Sequence, residues 1–505
     1  MKASIAVTAL LVWSVLCADP TYAHDPAQHA DLVSGELGTT HFPNSGAPGA
    51  QQDFVRGLLL LHSFEYAAAR RSFQAAERDD PGFAMAYWGE ALTYNHTLWG
   101  EQDLEAARAA LAKLGATPEE RAAKAPSARE RGYLVSVEQL YGEGGKEQRD
   151  ANFSAALGAV ARAYPDDLDA RSFYALSIMG LTGRSRNLAN YMRAAAEAEA
   201  VYEIDRLHPG ALHYLIHAYD DPIHAPLGLR AARRYGKVAP AASHAQHMPS
   251  HIFFALGLWD DAIEANAASL ETARAQGEAA YHSLLWLEYA YLQEDKRREA
   301  EQLVQSVAHD VAVGPNKENR ARLAHARATW LVETRGSASP DARLPVDSGG
   351  IANINYFAVY DFARGITAAD KGGEARAALK QLRERIENAR SRVTGVTSSW
   401  LDNITVQEIE EATLMANVLA GTMQYYEGDK SAGIAQIRAA IGSADRMTFE
   451  YGPPWSVKPF DELLGELLLA DGRRAEAAAA FQKTLAVYPN RRLAREGLAA
   501  LQAPH

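Results

Sequence analysis

The sequence predicts an all-α fold, a solenoid of antiparallel helix pairs, on three observations. Apolar residues recur at helical spacing along most of the chain, and strand-like alternation is scarce. Small residues, a phenylalanine and a proline repeat at fixed offsets near both ends. The composition is globular: 48% of the 505 residues are hydrophobic and 23% charged. The 51 basic and 63 acidic residues give a net charge of −12 with no Lys/Arg block, so nucleic acid is not an expected partner.

The first element, residues 1–23, reads as a cleaved secretory signal. Lys2 supplies its positive start, Ile5 to Leu16 its apolar run, and Thr21-Tyr22-Ala23 its cleavage site. A secreted or periplasmic location is the corresponding expectation. The only cysteine, Cys17, lies inside this segment, so the mature chain offers no disulfide and no thiolate ligand. No later run is apolar enough to suggest a membrane span. Cleavage after Ala23 would expose His24, whose free amine could chelate copper together with His29. Residues 24–51 form a polar entry segment.

The repeats follow. Gly57, Ala69, Phe73, Ala76 and Pro81 stand at offsets 0, 12, 16, 19 and 24. Gly465, Ala477, Phe481 and Pro489 repeat offsets 0, 12, 16 and 24. The small residues allow two helices to approach, and the proline ends the unit. Looser units include Ala84 to about Lys113, the Gly257–Ala262 turn and the Gly428-Asp429 turn. Leu114–Ser127 interrupts the pattern, and residues 335–350, with Gly, Ser and Pro, read as a linker between blocks 52–334 and 351–505. These offsets resemble those of the tetratricopeptide-repeat (TPR) family. The resemblance implies a curved superhelix whose concave face binds a protein, a peptide or a small-molecule ligand.

Histidine departs from an ordinary solenoid. Seven of the 16 histidines fall within 44 residues, from His208 to His251. His213 and His217 form an i,i+4 pair, as do His247 and His251, and the two pairs are 34 residues apart, one repeat length. In that register they occupy first-helix positions that the resemblance implies line the groove. Neighbouring helices about 8–10 Å apart would bring the two pairs around one cation. His244, His224 and Asp220 are further candidate ligands. His62 and His96 are also 34 residues apart and are expected on the groove wall, with His282 and Trp286 one residue off the next register step. Asn266 stands where Phe73 and Phe481 stand in the better-matched units, and a buried amide there needs a partner such as a histidine. Pro249 falls inside a first helix, which must therefore start late or kink.

Imidazole without thiolate suits Zn, Cu, Fe or Ni. No recognised catalytic motif accompanies the histidines, so three readings stay open: a metal-holding groove that binds a ligand or partner, a metal-dependent enzyme at the same histidines, and a metal-free protein–protein scaffold.

Overall fold

The computed structural model describes residues 37–182, 186–336, 340–394, 397–447 and 451–502. The signal segment, His24, His29 and His505 lie outside the described residues.

Helix pairs succeed one another along the chain, beginning with Gln51–His62 and Tyr66–Asp79. Among the described residues the only strands are Asn95–His96 and Glu101–Gln102, paired antiparallel. The fold is a TPR-like helical-repeat solenoid, and its spacing has a visible cause. Phe73 is fully buried between two glycines of the helices on either side. A Cβ on Gly57 would lie 2.8 Å from the Phe73 ring, and one on Gly89 would lie 2.4 Å away. Phe481 repeats this between Gly465 and Gly497, at 2.8 Å and 2.4 Å. The ring needs the space that a missing side chain leaves on both neighbours, and each such phenylalanine contributes about 1.5–3 kcal/mol through burial.

One hydrophobic core runs from Leu37 to Ala290 and a second from Leu292 to Ala494. The helix Lys317–Glu333 packs directly on Asn355–Ile366. Within the connection between them, Arg343 donates to Glu374 at 2.9 Å and to Thr367 Oγ1 at 3.0 Å.

The second block folds back onto the first at several points. Trp400 N–H donates to Glu101 Oε1 at 2.7 Å, and Gln102 N–H to the Thr397 carbonyl at 3.2 Å. Gly257, at φ +66°, caps the Pro249–Leu256 helix, and a Cβ there would lie 2.4 Å from the Pro489 carbonyl oxygen. Arg491, fully buried, donates to Glu462 at 2.7 and 2.9 Å and to Tyr289 Oη at 2.7 Å, and pairs with Glu333 at 2.7 Å. Burial alone would push the Glu462 carboxyl up, but Arg491 and Lys458 overcome it and hold it down to about 2.

Pro249 stands at the first position of its helix. Met248, itself helical (φ −53°, ψ −38°), joins the short segment Ser243–His247 to Pro249–Leu256, and the N–H that Pro249 lacks divides the first helix of this repeat in two. No helix among the described residues is long and apolar enough to cross a membrane.

Candidate metal centre

Successive repeats carry a row of imidazoles. The helix Pro209–Ala218 supplies His213 and His217, with ring centroids 4.9 Å apart. The broken helix supplies His244, His247 and His251, and Tyr281–Gln293 supplies His282 and Trp286. The i,i+4 pairs do not converge on one point together. Instead His213 and His217 converge with His244, and His247 and His251 with His282; within each set the candidate ligand atoms lie within 4.8 Å of one another. Each pair thus meets a ring from the next repeat.

The other face of several rings is committed. His213 Nδ1 donates to the His62 carbonyl at 2.6 Å. His247 Nδ1 lies 2.6 Å from Asn266 Oδ1, while Asn266 Nδ2 donates to the Ala262 carbonyl at 2.8 Å. That second bond fixes the amide so that its oxygen faces the histidine, which must then carry its proton on Nδ1. His251 Nδ1 lies 2.7 Å from Asp220 Oδ2. Such bonds fix the tautomer and leave Nε2 with a free lone pair. The Nε2 atoms of His213, His217, His244 and His247 are buried without a hydrogen-bond partner. Orphaned polar atoms of this kind are uncommon in a folded interior.

Burial, more than the adjacent rings, pushes His213 and His247 down to about 3. Burial and then the neighbouring His213 ring push His217 and His244 well below the usual histidine range. These four rings are held neutral at physiological pH, as metal ligation requires. The sign of the pH dependence follows. Below about 6.5 an unfolded chain takes up protons that native His213 and His247 refuse until about 3. Metal-free protein should therefore hold full stability above pH 6.5 and lose it as the pH falls toward 3, by up to about 1.4 kcal/mol per pH unit for each histidine. Denaturant midpoints across that range measure this, and a flat profile contradicts it.

Two aromatic rings cover the row. Phe64 packs on His213 at 4.3 Å, His244 at 5.5 Å and His217 at 5.8 Å between centroids. It does so at φ +56°, a conformation costing a bulky residue about 1–3 kcal/mol unless its surroundings hold it. Trp286 lies 4.4 Å from His251 and 5.0 Å from His247. Beside the row opens a cavity of about 420 Å³, lined by His244 and His282 together with Trp99, Glu65, Tyr356 and Trp400. The second block supplies Tyr356 and Trp400, so residues of both blocks line it. Trp99, 40% exposed, lies 5.8 Å from His244 and forms part of the turn between the two strands. Burial raises the Glu65 carboxyl to about 7, against the opposing bond from the His244 N–H.

Three candidates stand elsewhere. His62 is fully buried, with Nε2 2.8 Å from Asp169 and Nδ1 3.0 Å from Tyr214 Oη. It does not face the groove and reaches the row only through its carbonyl. His208 and Asp169 join it in a third convergent set. There the His62 nitrogens already have partners, and His208 Nδ1 accepts the Ala211 N–H. Burial would raise Asp169, but bonds from His208 and His62 hold it well below the usual carboxylate range. His96 sits on the strand, 2.6 Å from Glu101 and stacked on Tyr66 at 4.0 Å, so it braces the hairpin behind Trp99. His224 lies 2.9 Å from Asp221 in a separate cavity of about 410 Å³ with Arg186 and Tyr451. Its Nδ1 turns to that carboxylate because both sit in the turn that precedes the next helix.

Phe64, Glu65 and Trp99 were not among the candidates read from sequence. Only Gly100, at φ +67° beside Trp99, signals the turn that presents that ring.

No protein-family model matches the chain, and no curated protein does. Solved structures to which it is similar include the human IFIT1 dimer with m7Gppp-AAAA, at 14% identity and a TM-score of 0.39, covering 94% of this chain and 93% of that one. The APC/C hetero-tetramer Cut9-Hcn1 follows at 13% and 0.35, covering 92% and 79%. Yeast Tom70 stands at 10% and 0.34, covering 88% and 86%. Likenesses this distant carry no site and no activity across.

Proposed function

We propose that this protein is an exported helical-repeat protein that binds a transition-metal ion on its inner imidazole row, with a ligand admitted through the Trp99 cavity. The single observation that carries the reading is the set of buried Nε2 atoms on His213, His217, His244 and His247 that have no hydrogen-bond partner. Their donor chemistry suits Zn, Cu, Fe or Ni. A cavity of about 420 Å³ suits a small molecule or a single peptide side chain better than a folded partner. Export is supported by the N-terminal apolar run and its flanking residues.

A metal-dependent reaction at the same place is the second reading. It is favoured by Glu65, a carboxyl lifted to about 7 on the cavity wall, where it could exchange a proton near neutral pH.

Elemental analysis of protein purified without a histidine tag tests the first reading. Bound transition metal is expected, and it should disappear in the His213→Ala/His247→Ala variant. Metal-free wild-type protein, or a variant with unchanged metal content, contradicts it. In that case a metal-free scaffold is what remains.

A further inference from the structure

We infer that the row holds two metal ions side by side, a cuprous pair, each seated on three imidazoles. The inference rests on the proposed metal-binding reading and deepens it. His213, His217 and His244 form one convergent set, and His247, His251 and His282 the other. The sets share a wall: ring centroids are 5.4 Å apart for His217 and His251, and 5.9 Å for His244 and His247.

One ion does not serve both sets. Each convergent set takes three of the six rings, and no set among the described residues joins all six. An ion in the first set leaves His247 Nε2 buried and bare, and an ion in the second leaves His213, His217 and His244 bare. Two ions give every orphaned nitrogen of the row a partner.

The donors point to copper. Both sets consist of histidine alone, with no carboxylate or thiolate among the convergent atoms. Nitrogen sites of this kind bind divalent copper ahead of the other divalent first-row metals, and imidazole also ligates copper in its monovalent state. Charge then favours the monovalent state. Two divalent ions would place four positive charges beside the buried rings of His213, His247 and His251, whereas two cuprous ions place half of that. The nearest carboxylate, Asp220, is engaged by His251 Nδ1 and sits behind the ring. His244 and His282, one from each set, both line the Trp99 cavity, so a small molecule entering there would meet both ions.

The test is an anaerobic titration of metal-stripped, tag-free protein with Cu(I) against a competing cuprous chelator. Wild type should take two equivalents. His217→Ala and His282→Ala should each take one, with helicity by circular dichroism unchanged. No side-chain hydrogen bond is recorded for either ring among the described residues, so neither substitution strands a buried partner. One equivalent in wild type, abolished by either variant, overturns the pair but leaves single-ion binding standing. Two equivalents untouched by both variants place the ions elsewhere and overturn it. Two equivalents of Zn with no retention of Cu(I) overturn the copper assignment. Failure to bind any metal removes this inference and the reading beneath it.

Discussion

Arg491→Met should destabilise the protein by about 3–5 kcal/mol, the cost of leaving one side of a buried ion pair uncompensated. The guanidinium lies fully buried between Glu462 and Glu333, and it also donates to Tyr289 Oη. Methionine fills much of the space but leaves Glu333 and Glu462 buried, with Lys458 still facing Glu462 at 2.8 Å and Arg492 facing Glu333 at 3.6 Å. The neighbouring Arg492 bonds, to the Leu292 carbonyl at 2.7 Å and the Glu333 carbonyl at 2.6 Å, should be loosened in turn. Thermal and denaturant unfolding measure the effect. A change below about 1 kcal/mol, the scale of an exposed ion pair, would mean that the clasp contributes little to holding the two blocks together.

Asn266→Leu should weaken metal binding by about 10–100-fold, the usual consequence of removing a residue that orients a ligating histidine. The substitution keeps the volume but removes the only acceptor within 3 Å of His247 Nδ1. The ring is then free to turn or to change tautomer, so Nε2 no longer presents its lone pair to the row. The buried N–H left behind costs about 1–3 kcal/mol of stability in addition. Competition against a chelator of known affinity reads the first effect, and an unfolding curve the second. Lost stability with unchanged affinity would make Asn266 a packing residue that takes no part in ligand orientation.

Sequence carried the fold well because the TPR-type contacts are local. Phe73 and Phe481 meet glycines 16 residues away on either side, so fixed offsets encode the packing directly. The histidine row was legible for a related reason: residues one repeat length apart, such as His213 and His247, stand on the first helices of successive repeats. How the rings group was not legible. His244 and His282 lie off that register, yet each completes one of the two convergent sets. Periodicity also placed His62 and His96 together, although the Ala84–Leu92 helix ends before His96 and the chain turns into a hairpin there. The cavity depends on contacts nearly 300 residues apart, such as Glu101 with Trp400. No local pattern encodes a contact of that kind.

The most direct measurement is anomalous diffraction from crystals of the tag-free protein, collected at the absorption edges of copper, zinc, iron and nickel. A peak about 2.0–2.1 Å from Nε2 of His213, His217 and His244, or of His247 and its neighbours, is the expected result. A row without anomalous density, with metal found only on surface histidines or nowhere, would contradict a metal centre in this solenoid.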